Sequence, residues 1–232
     1  MSRPETAEQT RWEVAEAITS RRAVRAFHPN PVPQDTIAQI LEIAAQAPSG
    51  SNIQSWHVDV VTGQARSQLT SAITARFDAG DFGEEAYQYY PDPWREPYLA
   101  RRRATGWGLY AALGIARQDK DRMHAQHRRN FLFFDAPVGL VFSLDRDLPV
   151  GSWLDCGMFL QNIMIAARGF GLDTCPQQAF AAYHSTIRDV LDIPENRMVI
   201  CGMALGVADK SDPANQFATE RAPTDQFARF HK

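Results

Sequence analysis

Cysteine is scarce in this chain. Cys156, Cys175 and Cys201 are the three in 232 residues, and they lie 19 and 26 positions apart. That spacing excludes a CxxC redox pair and the paired-ligand spacing of a zinc site, and no metal is expected. So few cysteines fit a reducing cytoplasm better than a disulfide scaffold. Long apolar runs are missing too. Residues 1–11 are polar and lack the apolar stretch of a signal peptide, and no run approaches the ~20 residues that span a bilayer, so no membrane partner is expected. A strong charge of one sign is also absent: 24 Lys and Arg against 27 Asp and Glu leave −3, which provides no general pull toward nucleic acid. Several catalytic signatures are missing as well. There is no GxSxG elbow and no P-loop, and Gly169 and Gly171 lack the third glycine of a dinucleotide fingerprint. His124 and His127 can share a helix face, but without a third ligand they read as a surface pair, while His57 reads as a structural residue in a strand.

What is present suits a globular enzyme. The chain is 44% apolar and 22% charged, which argues against extensive disorder, and its length suits one domain that mixes helices and strands. Residues 12–20 read as a helix with Trp12, Ala15 and Ile18 on one side, running into Arg21, Arg22 and Arg25. The prolines of His28-Pro-Asn-Pro-Val-Pro33 break the chain before a second helix at 35–47, whose Ile37, Ile40, Leu41 and Ala44 recur at the spacing of a buried face. Strands are predicted at 56–62, 138–144 and 198–205. A long buried helix is predicted over 153–168, built on Leu154, Met158, Phe159, Asn162, Ile165 and Ala166. Residues 78–130 are helical in pattern but dense in Tyr and Trp and interrupted by Pro91, Pro93 and Pro97, so they read as an insertion that covers something. Between Arg101 and Arg129 eight Lys or Arg face only Asp119 and Asp121. Such a run is ordinarily a solvated surface; its functional reading is attraction for an anionic substrate or a dinucleotide phosphate.

The positive features describe a phosphate and a flat ring. Guanidinium is the side-chain group best shaped for bidentate contact with phosphate, and Arg21, Arg22 and Arg25 stand together at a helix end. Taken alone, RRxxR reads more readily as a C-terminal helix cap, held by favourable interaction with the helix dipole. The block Ser20-Arg-Arg-Ala-Val-Arg-Ala-Phe27 is followed by Ala47-Pro-Ser-Gly-Ser-Asn-Ile-Gln-Ser-Trp56. Further on come Gly171-Leu-Asp-Thr-Cys-Pro-Gln-Gln178, Ile200-Cys-Gly-Met-Ala-Leu-Gly206 and Thr219-Glu-Arg-Ala-Pro-Thr-Asp-Gln-Phe227. These blocks, in this order, resemble the nitroreductase family, nearest to its nitrobenzoate-reductase-like branch.

The resemblance implies an α+β fold: one FMN-binding domain over residues 1–232, a central mixed or antiparallel sheet flanked by helices in three layers, and a helical lid at about 78–130. It also implies an intertwined homodimer with FMN at the interface. Carried onto this sequence, Arg21, Arg22 and Arg221 look like phosphate ligands, and Arg25 looks like the cation at the pyrimidine edge of the flavin. Ala23, Pro48, Ser49, Gly50, Asn52 and Gln54 look like further cofactor contacts, from the same subunit or its neighbour. Cys175, Pro176, Gln177 and Gln178 resemble the loop whose backbone N–H meets flavin N5. Arg102, Arg103 and Tyr110 are the substrate-side candidates. Ala23 departs from the serine common in the family, and Ser55 from the proline common before the tryptophan. No catalytic side chain is implied, since flavin N5 carries the chemistry: NAD(P)H reduces it, and a nitroaromatic, quinone or similar acceptor, anionic acceptors such as nitrobenzoate included, reoxidises it in ping-pong order. The alternatives are a dehalogenase or flavin-modifying enzyme of the same fold, and a non-catalytic flavin sensor or storage module.

Overall fold

The computed structural model describes the backbone of residues 7–232 and the side chains of residues 13–232, so the Trp12 ring expected on the inner side of the first helix lies outside the described residues. Four strands, β1 (His57–Thr62), β2 (Val138–Asp145), β3 (Asp173–Gln177) and β4 (Arg197–Gly206), form one sheet in the order β1-β2-β4-β3. Every neighbouring pair is antiparallel. The mixed character expected of the sheet is confined to a single parallel bridge between Ala23 and Thr174 on its outer edge. β3, a strand where the sequence suggests a loop, contains Pro176; an edge strand tolerates a residue that cannot donate to the ladder.

Helices cover both faces. Alternate side chains of β2, namely Val138, Leu140, Phe142 and Leu144, pack with Met203 and Leu205 of β4 against α2 (Gln34–Ala44) and α6 (Val150–Gly169). Val141, Val199 and Ala204 face the other way, toward α3 (Gly63–Asp78) and α7 (His184–Leu191). Glycine lets the second layer approach closely. A Cβ on Gly139 would lie 2.4 Å from the Phe133 ring and one on Gly202 would lie 2.8 Å from Phe180. Those two rings stack on each other at 4.5 Å over the bare centre of the sheet.

The remaining helices are α1 (Ala7–Ser20), α4 (Tyr98–Ala112), α5 (Lys120–Arg128) and the short α8 (Pro213–Gln216). The insertion at 78–130 is helical only in α4 and α5; residues 79–97, rich in proline, are irregular. α6 also differs from expectation. Phe159, Ile163 and Ala167 are buried, but Leu154 and Met158, expected inside, are 71% and 39% exposed on the outer side of the helix. No helix among the described residues is long and apolar enough to cross a membrane.

Candidate functional site

The arginine segment leaves the end of α1 and runs along the free edge of β3, tied by Val24 N–H to the Thr174 carbonyl at 3.1 Å. Burial of Val24, Ala26 and Phe27 alternates roughly with the arginines, so the backbone is anchored while the cations face outward. Asn215 fixes the end of the segment: its Oδ1 accepts the Arg25 N–H at 2.7 Å and its Nδ2 donates to the Ala26 carbonyl at 2.9 Å. Arg21, Arg22, Ala23 and Arg25 then line a cavity of about 520 Å³, closed by Ile18, Thr19, Gln161 of α6, residues 217–219 and Arg221.

The electrostatics of this cavity are unbalanced. Burial, and then the neighbouring Arg221 charge, hold the Arg21 pKa below its ordinary value. Among the described residues none of Arg21, Arg22, Arg25 and Arg221 forms an ion pair with a carboxylate. Arg221 is oriented instead by neutral acceptors, the Thr219 hydroxyl at 2.6 Å and the Glu220 carbonyl at 3.0 Å. Cys175 lies fully buried in the same field; burial pushes its thiol up to about 11 while Arg25 and Arg21 pull it back. Four converging guanidinium groups without counter-charge fit a phosphate monoester, whose oxygens would accept the fork of donors.

The loop at 48–54 is built differently. Ser49 Oγ accepts the Gln54 N–H at 3.0 Å, Gly50 N–H donates to the Asp155 carboxylate at 3.1 Å, and Gln54 Nε2 donates to the Asn52 carbonyl at 3.2 Å. Ser51, Asn52 and Gln54 are all left-handed, with φ of 49°, 57° and 49°, a conformation that costs non-glycine residues energy and clusters at functional loops. Within one subunit this loop does not line the arginine cavity. It rests on Asp155 while the cavity touches Gln161 of the same helix, six residues and roughly 9 Å further along.

Past Cys175, Pro176 and Gln177 complete β3, and Gln178 opens the short 3-10 turn that follows it. Gln177 is 3% exposed and donates from Nε2 to the Asn130 carbonyl at 2.6 Å, and Gln178 lies against the Tyr87 hydroxyl, which itself donates to the Ile200 carbonyl. The three substrate-side candidates are placed elsewhere. Arg102 stacks on Trp94 at 4.7 Å, Tyr110 meets Trp107 edge-on at 5.9 Å, and Arg103 is exposed. The arginine of that run that faces a cavity is Arg101, which the sequence reading did not single out. With Ala104 and Thr105 it lines a space of about 520 Å³ bordered by Phe217, Ala218, Thr219 and Arg221, residues shared with the arginine cavity. His124 and His127 pack on Phe77 at 4.4 Å and 5.4 Å, and no metal-binding cluster occurs among the described residues. His57 sits in β1, 3.6 Å from Asp145.

Comparison with known proteins agrees with this geometry. The chain matches the model of the Nitroreductase family over residues 18–207, which takes in the first arginines and the whole sheet. It is 40% identical over 216 residues to a 4-nitrobenzoate reductase of Nocardioides sp. (strain LMS-CY), covering 92% of this chain and 87% of that protein. It is 41% identical over 218 residues to a nitrobenzene nitroreductase of Ectopseudomonas oleovorans, covering 94% and 96%. The crystal structure of the FMN-dependent nitroreductase NfnB from Mycobacterium smegmatis in complex with NADPH matches with a TM-score of 0.91 at 33% identity, covering 96% of this chain and 100% of that one. With fold, arginine segment and near full-length similarity in agreement, the chain belongs to the nitroreductase family.

Proposed function

We propose that the chain is an FMN-dependent oxidoreductase that takes hydride from NAD(P)H and delivers two electrons to a nitroaromatic, working as a homodimer in the cytoplasm. The observation that carries this reading is the cavity beside β3, where four arginines converge without a carboxylate partner among the described residues. Arg21, Arg22 and Arg221 would hold the FMN phosphate, and Arg25, fixed through Asn215, would stand at the pyrimidine edge. When bound, FMN supplies the hydride and electron chemistry. The chain's own work is orientation and charge: the Arg21–Arg25 segment would bind, and the end of β3, where the Gln177 side chain is tied to Asn130, would offer a backbone N–H to the flavin. Each two-electron step consumes NAD(P)H and one proton and converts a nitro group to nitroso and water.

The homodimer is supported by an apolar stripe that nothing among the described residues covers. Val150, Leu154 and Met158 follow one another at helical spacing on α6 and are 77%, 71% and 39% exposed, with Val14 and Ile18 of α1 and Ile53 of the 48–54 loop also exposed. Burying that stripe against a second copy would bring the strained 48–54 loop to a flavin that its own subunit's arginines do not share. We read residues 78–130 as the lid. The cytoplasmic placement rests on the three cysteines, Cys156, Cys175 and Cys201, all of them free thiols. The relatives' names leave the acceptor open between a carboxylated and an uncharged nitroarene.

The test is anaerobic addition of NADPH or NADH to the purified yellow protein. Rapid bleaching of releasable FMN is expected. A flavin that stays oxidised under excess of both donors would make the chain a binding module, and FAD as the sole bound flavin would defeat the arginine assignment.

A further inference from the structure

A separate cavity of about 450 Å³ lies just past the end of β3, within the size range of small-molecule sites. Two of its walls matter most. One is the end of β3 with the residue after it, Pro176–Gln178. The other is the insertion, which contributes Phe82, Tyr90 and His127. The first arm of the insertion is clamped across the turn that follows β3: Glu84 N–H donates to the Ala182 carbonyl at 2.8 Å, and the Tyr183 hydroxyl donates to the Asp81 carbonyl at 2.8 Å. Gly83 makes that approach possible, with φ +76° and room for no Cβ, which would fall 2.1 Å from the Ala182 oxygen. The cavity is therefore a built space between lid and turn.

Its chemistry is aromatic and uncharged. Tyr90 and Phe82 stand at its mouth, 50% and 62% exposed, and Phe77, Phe131 and Tyr183 form its floor, with the His127 ring 5.4 Å from Phe77 and 5.8 Å from Phe131. No Lys, Arg, Asp or Glu lines it. Partial loss of water around the His127 ring, and then the neighbouring His124, hold its pKa below the ordinary value. Two cations on adjoining elements are engaged by carboxylates, Arg76 with Asp81 at 2.7 Å and Arg128 with Asp78 at 2.8 Å. A benzene ring gains contact with the aromatic walls, whereas a carboxylate would lose water with no cation among the residues that line the cavity.

We propose that this cavity is the acceptor pocket and that it selects an uncharged single-ring nitroarene over a carboxylated one, with Tyr90 and His127 as the selecting side chains. The inference rests on the reductase reading of the arginine cavity at the other end of β3's Cys175–Gln177 stretch, where Arg21 and Arg25 act on the Cys175 thiol.

The experiment reduces FMN-loaded wild type, Tyr90→Arg and Phe82→Arg with NADPH, then follows flavin reoxidation by nitrobenzene and by 4-nitrobenzoate without oxygen. In the wild type nitrobenzene should react at least tenfold faster at equal low concentration. Either arginine, placed at an exposed wall position, should cut that ratio about tenfold by raising the rate with 4-nitrobenzoate. A wild-type ratio of one or below, or a ratio unmoved in both loaded variants, would overturn the pocket. Failure of the wild-type flavin to bleach with NADPH would instead overturn the reductase reading beneath it.

Discussion

Arg21→Ala should separate binding from folding, because its two effects have opposite signs. In the folded chain the Arg21 guanidinium is partly withdrawn from water and faces the Arg221 charge, and both hold its pKa below the ordinary value. A basic group whose folded pKa is depressed costs stability wherever it is charged, and that cost fades only as pH climbs toward the lowered value. Arginine remains charged far above neutrality, so the penalty in FMN-free protein is constant across the neutral range. Removing the charge should therefore stabilise the FMN-free protein. Solvent screening limits the gain to about 0.2–1 kcal/mol, and roughly 2–4 °C per kcal/mol for a chain of this size makes it a rise of about 0.5–4 °C. FMN binding should weaken at the same time. One charge-assisted bond to phosphate contributes about 1.5–3 kcal/mol, and at ~1.4 kcal/mol per decade its loss raises Kd roughly ten- to a hundredfold. Thermal melting of the FMN-free protein and titration by flavin fluorescence quenching measure the two quantities. The melting gain should shrink at ~1 M salt, where the screening length falls to about 3 Å. A variant that melts lower yet binds FMN as before would make Arg21 a structural residue and refute the reasoning.

Three further outcomes follow from the same geometry. Arg25→Gln should lower the two-electron potential of bound FMN, about 30 mV for each ~1.4 kcal/mol of lost stabilisation, with Arg25→Lys recovering part; weaker FMN binding at an unchanged potential would move Arg25 into the phosphate group. Gly139→Ala should cost about 1–3 kcal/mol in urea unfolding, since the added Cβ meets a Phe133 ring already stacked on Phe180; a loss under about 0.5 kcal/mol would show that the ring yields. Leu154→Glu, at a position 71% exposed in one subunit, should shift sedimentation toward monomer and lower FMN retention together; a variant that remains dimeric would place the interface elsewhere.

The parts of the fold that were legible in the sequence are those with one uninterrupted periodicity. α2 shows its buried face as Ile37, Ile40 and Ala44, and the central strands β2 and β4 are apolar on both sides. α3 was missed because its inner stripe alternates apolar and hydroxyl residues: Leu69, Ile73 and Phe77 are joined by buried Thr70 and Thr74. Thr74 satisfies its hydroxyl by donating to the Thr70 carbonyl at 2.7 Å, a local bond that makes a polar residue acceptable inside and erases the apolar signal. β3 was missed because proline speaks against a strand unless the strand lies at an edge, and edge position belongs to the topology. Leu154 and Met158 were read as core for a similar reason: a surface that one copy leaves open looks, in sequence, like any other apolar stripe.

The candidate site divides along the same line. Arg21, Arg22, Arg25 and Arg221 were legible as motif residues, and the folded chain gathers all four around one cavity although Arg221 is far away in sequence. The run Arg101-Arg-Arg103 was legible only as positive charge. Successive residues on a helix point about 100° apart, so three adjacent arginines have three environments, and nothing in the run selects among them. The selection comes from Gly108, where a Cβ would lie 2.3 Å from the Phe217 ring. That close packing turns the stripe Arg101, Ala104, Thr105 and Gly108 of α4 toward residues 217–226. Arg102, one step around the helix, is thereby directed onto Trp94. A glycine seven positions downstream and an aromatic ring more than a hundred residues away determine which arginine faces the cavity, and no local reading of the charge run contains either.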